Sequence, residues 1–69
     1  MMRKMAPPRF KEGDYVVFRS NGEKKTGQIY IVDRYGTFGQ NEEPSYDVMV
    51  DEENCLYKHI RDSHVAEAV

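Results

Sequence analysis

Cys55, His59 and His64 are the cysteine and histidine side chains of this 69-residue chain, and three such groups with a water could complete a tetrahedral zinc site. Their spacing forms no compact ligand pair, and on a strand followed by a turn the side chains diverge. A small hydrophobe with two surface histidines is therefore the preferred reading, and no metal or other cofactor is expected. Glu42, Glu43, Asp51, Glu52 and Glu53 suggest calcium binding or acid–base work. Calcium loops alternate their ligands around a glycine turn, whereas these acids are adjacent with no glycine between them, so solvated turns account for them. No Ser-His-Asp order, glycine-rich phosphate loop or nucleophile elbow occurs, and no enzyme is expected.

A different chemistry is carried by Tyr15, Arg19, Tyr30, Arg34, Tyr35 and Phe38. In an antiparallel pair the outward positions of one strand lie beside those of the next. Aromatic faces interleaved with guanidinium groups suit base stacking and phosphate contact. They equally suit a groove for a proline-rich or arginine-bearing peptide. The plainer account is that Tyr15 and Tyr30 cover the open side of a small barrel with arginine stems packed over them. Lys24 and Lys25, near a hairpin tip, read as solubilising charges.

The elements that must position these residues are strands. Gly13-Asp14 opens an alternating run in which Val16 and Phe18 share the core face and Tyr15, Val17 and Arg19 the other, with Asp14 placed to accept turn N–H groups. Ser20 to Lys25 is a hydrophilic connection in which Asn21-Gly22 can take positive φ, so the second strand, over 28–33, returns antiparallel. Gly27 suggests a bulge or a close backbone approach, and Ile29 and Ile31 are expected in the core. The stretch 35–45, with Gly36, Gly39 and Pro44, is the longest irregular segment. Tyr46, Val48 and Val50 then face inward on a third strand, and Asp51 to Asn54 turns. A fourth strand covers 55–58 with Leu56 inward. His59 to Asp62 supplies one 3₁₀ turn, and 63–67 a last strand carrying Val65 into the core; a helix over 57–69 is the weaker alternative.

Composition bounds the class. A chain of 69 residues with 39% hydrophobic and 32% charged side chains is one globular domain of modest stability, whose core, lacking Trp, falls to Val, Ile, Phe and Tyr. A single cysteine permits no internal disulfide and suits a reducing cytoplasm. No apolar window could span a bilayer, and 1–8 has no apolar segment behind its basic residues, so the expectation is a soluble, cytoplasmic protein. The net charge of −2 is split, with 8 basic and 4 acidic side chains in residues 1–35 against 2 and 8 in residues 36–69. Such a split bears on surface fields rather than on fold. Pro7-Pro8 disfavours helix and suits an extended or disordered tail over 1–9, with a barrel over 10–67 and a short C-terminal end at 68–69.

Four strands at 15–19, 28–33, 46–50 and 56–58, a one-turn 3₁₀ segment and a last short strand follow the order of a small five-stranded SH3-like barrel, an all-β fold. Through Gly27-Gln28-Ile29, Tyr46-Asp47-Val48, Asp51-Glu52 and Leu56-Tyr57-Lys58-His59 leading to Val65, the chain resembles small SH3-like proteins of phages, prophages and Gram-positive bacteria, of the YorP type. A weaker similarity, over 22–32, runs to KOW-type segments of transcription and ribosomal proteins. The first resemblance implies no general activity, the second nucleic-acid or protein contact. The acidic second half departs from the basic character of an RNA-binding KOW domain.

The function expected is a non-catalytic adaptor that binds a protein partner through Tyr15, Arg19, Tyr30, Arg34, Tyr35 and Phe38. The alternative is a nucleic-acid-binding module using Arg3, Lys4, Arg9, Lys11, Arg19, Lys24, Lys25 and Arg34, opposed by repulsion from the acidic half. A third reading is self-association through an open strand edge or Cys55, with a monomer preferred.

Overall fold

A computed structural model describes residues 7–35 and 43–69. Phe38, Arg3, Lys4 and Glu42 lie outside the described residues, as do Gly36 and Gly39. The strands are β1 (Tyr15–Ser20), β2 (Glu23–Asp33), β3 (Ser45–Val50), β4 (Cys55–Arg61) and β5 (Val65–Ala68), with 3₁₀ turns at Asp51–Glu53 and Asp62–His64. All ladders are antiparallel and the sheet order is β4-β3-β2-β1-β5. This is an all-β, five-stranded SH3-like barrel with a 3₁₀ turn before its last strand, the ladder being left open between β4 and β5.

The β1–β2 hairpin is tighter than a loop over 20–25. Ser20 pairs with Glu23, so the turn is Asn21-Gly22 alone, with φ of 52° and 80°. Positive φ at both central positions is the twist-matched hairpin geometry that Asn-Gly favours, and it lets β2 begin at Glu23. The hairpin continues past Tyr15, because Gly13 N donates to Ile29 O and Ile29 N to Asp14 O, both at 2.9 Å. Asp14 accepts a turn N–H as expected, from Lys11 at 3.1 Å. At Gly27 the close approach is confirmed: an added Cβ would lie 2.5 Å from Met49 O and 2.8 Å from Val48 Cγ1.

The core is Val16, Phe18, Ile29, Tyr46, Val48, Val50, Ile60 and Val65, with Phe10, Val32 and Tyr57 packed against it. Two inward assignments are corrected. Ile31 is 51% exposed, because the β2–β3 register shifts between Ile29 and Ile31 and the extra residue, Tyr30, resets the alternation. Val32 takes the inward place instead. On β4, Val48 pairs with Tyr57 and Met49 with Leu56, so Tyr57 points inward, meeting Phe18 edge-to-face at 5.6 Å, and Leu56 points out. The end of the chain is also displaced. A bulge at Lys58-His59, with His59 at φ 60°, carries β4 on to Arg61; the 3₁₀ turn falls at 62–64 rather than 59–62, and β5 begins at Val65. The segment 57–69 contains no α-helix.

Candidate functional site

The outer face of the β1–β2 hairpin is built by register. Tyr15 pairs with Gln28, Val17 with Thr26 and Arg19 with Lys24, and directly opposed residues share one face of a sheet. The bulge then changes what that face carries. A run of four apolar residues, Ile29-Tyr30-Ile31-Val32, cannot alternate, and inserting one extra residue keeps Ile29 and Val32 on the core while Tyr30 and Ile31 are both left outside. Tyr15, Tyr30 and Ile31 are 51%, 47% and 51% exposed. Tyr30 lies beyond Gln28 and diagonal to Tyr15, and the ladder position on its β1 side falls to Gly13, which offers no side chain to cover it.

The residues nominated from the sequence are therefore only partly gathered. Tyr15 and Tyr30 come together and gain Ile31, which sequence reasoning assigned to the core; the four-residue apolar run is the signal that could have exposed it. Arg19 stands at the other end of β1, about 13 Å away at the usual rise per residue. Arg34 and Tyr35 occupy the turn after β2, where Tyr35 N donates to Asp33 Oδ1 at 3.0 Å and the Tyr35 side chain is 78% exposed. Phe38 is outside the described residues. Beyond the end of β2, a groove of about 760 Å³ runs between the segment 7–14 and Val32 and Arg34.

Two polar clusters lie elsewhere. Arg9 donates from Nε to Asp62 Oδ2 at 2.8 Å and from Nη2 to the carbonyl oxygens of Asp62 and Val65, both at 2.6 Å. The Tyr46 hydroxyl donates to Asp62 Oδ1 at 2.5 Å and accepts from Arg9 N at 3.2 Å. Burial, reinforced by the Asp62 carboxylate, pushes the Tyr46 phenol from 10 up to about 12. Glu43 holds the same turn from the other side, accepting from Ser63 N and Oγ at 2.6 and 3.0 Å.

The second cluster joins β2 to the first 3₁₀ turn. Lys25 Nζ lies 2.7 Å from Glu53 Oε2, 3.3 Å from Glu23 Oε1 and 5.5 Å from the centre of the Tyr57 ring, while the Tyr57 hydroxyl donates to Glu53. The hydrogen bond to Glu53 raises the Lys25 ammonium, the one from Lys25 lowers the Glu53 carboxyl, and the Tyr57 phenol is raised first by Glu53. Lys25 is thus no hairpin-tip charge, its side chain being only 16% exposed. Cys55 opens β4, His59 sits in its bulge and His64 ends the second 3₁₀ turn. Among the described residues, no group of three or more His, Cys, Asp or Glu side chains is placed to hold a metal ion, and no helix is long and apolar enough to cross a membrane.

Comparison of the chain with protein-family models, with curated proteins and with solved structures finds no match in any of the three.

Proposed function

We propose that this chain is a non-catalytic binding module that docks a protein partner on the outer face of β1 and β2, with Tyr15, Tyr30 and Ile31 as its anchors. The observation that carries the reading is the juxtaposition of these three large apolar side chains, each about half exposed, beside a bulge that turns two of them outward together. Exposed apolar groups gathered on one face are the usual mark of an interaction site, and Tyr combines a large contact area with a polar tip. An open sheet face bearing phenols and an aliphatic branch offers contact area rather than a general base.

The arrangement of charge favours a protein over a nucleic acid. Of the cations nominated for phosphate contact, Arg9 and Lys25 are held by Asp62 and by Glu53 and Glu23. Lys11 and Arg34 line the groove beyond β2, whereas Arg19 and Lys24 face each other at the hairpin end. Among the described residues, two separated pairs do not make the continuous basic track that follows a phosphate backbone.

A photo-crosslinking residue, p-benzoylphenylalanine, placed at Tyr30 and, as a control, at Glu52 tests the reading in living cells. The expected result is a discrete polypeptide adduct at Tyr30, absent at Glu52 and lost when Tyr15→Ser is added. Equal adducts at both positions, no adduct, or an adduct removed by nuclease overturns it.

A further inference from the structure

The hairpin face breaks a rule of sheet electrostatics at one place. Arg19 and Lys24 are directly opposed across the β1–β2 ladder, and both are exposed. Like charges opposed in this way destabilise a sheet. Among the described residues neither side chain has an ion-pair partner. The acid nearest in sequence, Glu23, is committed elsewhere: with Glu53 it surrounds Lys25, whose parity on β2 places it on the opposite face from Lys24. Glu67 of β5 is opposed to Val17, midway along the same outer face, and makes no ion pair with Arg19. A local cost without a compensating contact in the fold is the pattern expected where a surface is shaped for a partner.

The same face carries the apolar anchors at its other end. From Arg19 back to Tyr15 is four residues of strand, about 13 Å. Between them lie half-buried Val17 and Gln28 and the exposed Thr26, and Gln28 is tied down by donating to Gly13 O at 3.2 Å. With Glu67 of β5 standing beside Val17, these residues of β1 and β2 leave a strip on the β2 side, between the apolar patch and the cation pair, along which an extended chain can lie. Four residues of an extended peptide cover the same 13 Å or so.

From this geometry we infer that the partner segment is an acidic, extended peptide, with one large apolar side chain seated on Tyr15, Tyr30 and Ile31 and one or two carboxylates about four residues away on Arg19 and Lys24. The inference rests on the docking face proposed above and adds the chemistry of its occupant. The carboxylates relieve the repulsion between Arg19 and Lys24 and set direction and register, and the apolar group supplies the contact area.

Selection from a phage-displayed library of random 12-residue peptides, on the immobilised full chain, tests it with three baits: the unaltered protein, Arg19→Glu/Lys24→Glu, and Tyr15→Ser/Tyr30→Ser. Circular dichroism and thermal unfolding of each bait establish that the exposed substitutions leave the fold intact. The expected result is enrichment of sequences pairing an aromatic or large aliphatic residue with Asp or Glu three to five positions away. The charge-reversed bait is expected to lose these sequences at least tenfold and to enrich Lys or Arg in their place, and the Tyr-deficient bait to enrich neither. Sequences that depend on Tyr15 and Tyr30 but carry no acidic bias overturn this inference and leave the docking face standing. Sequences indifferent to all four substitutions, or no enrichment, overturn both. Saturable binding of a dT20 oligonucleotide that is lost in Arg19→Glu/Lys24→Glu, without peptide enrichment, overturns both in favour of single-stranded nucleic acid.

Discussion

Tyr46 shows how much a single side chain carries in so small a core. Its ring is buried against Phe10, 6.0 Å away edge-to-face, and its hydroxyl reaches the polar cluster around Asp62. The folded phenol titrates near 12, above the ordinary 10, so the folded state holds the proton more tightly than the unfolded chain does. That contribution to stability is complete below pH 10, declines as pH rises from about 10 to about 12, and is gone above. Urea unfolding at intervals from pH 8 to 12 is expected to show this alkaline decline, with Tyr46→Phe less stable at pH 8 by about 1–3 kcal/mol and with a shallower slope. Lys25, also held above its ordinary value, shares the limb, so the readout is the part of the slope that Tyr46→Phe removes. An identical slope in the variant would contradict the assignment.

β2 is the element on which fold and site meet. Its first half pairs with β1, its second half with β3, and the bulge at Tyr30 lies in the second. Strict alternation through Ile29 and Ile31 predicts that both belong to the core; the bulge makes them opposites. Ile29→Ala is therefore expected to cost about 2–5 kcal/mol, as a large side chain lost from a packed core, whereas Ile31→Ser changes stability by no more than about 0.5 kcal/mol. Chemical denaturation of the two variants checks this, and comparable losses would mean that Ile31 is inside after all. The inward residues Val16, Phe18, Tyr46, Val48, Val50 and Val65 were legible because each lies in a short stretch where period-2 alternation holds. Ile31, Leu56 and Ile60 were misplaced or missed because a bulge adds one residue to one strand only. Alternation on either side of it still looks regular, while its phase has been inverted. The same limit applies to the site: Tyr15 and Tyr30 were legible as outward aromatics, but Ile31 joined them only through the bulge.

At the scale of the whole molecule, the ladder is open between β4 and β5, and the turn that connects them is braced by a side chain from the start of the chain. The Arg9 guanidinium bonds to the carboxylate and carbonyl of Asp62 in that turn and to the carbonyl of Val65 where β5 begins. Pro44 adds a backbone acceptor for Asp62 N at 2.9 Å. Arg9→Ala is expected to cost about 1–2 kcal/mol, at the lower end for charge-assisted hydrogen bonds because half of the side chain faces solvent. It should also speed amide hydrogen exchange at residues 62–65 more than in the β1–β2 hairpin. Uniform exchange rates across the two regions would show that Arg9 does not hold the turn.

What sequence alone determined is what local rules govern: an all-β chain, the Asn21-Gly22 reversal, the acidic turn at 51–54, the succession of strands along the chain and the inward faces of β1 and β3. Each follows from backbone preference or from alternation within one strand, and neither needs a distant partner. Only the tertiary structure decided which cations are spoken for and which are free. Lys25 and Lys24 are neighbours of one type, and no local rule separates them. Strand parity sends one to Glu53, 28 residues along the chain, and leaves the other facing Arg19. The partner of a charge is set by register across strands, and register is a property of the assembled sheet.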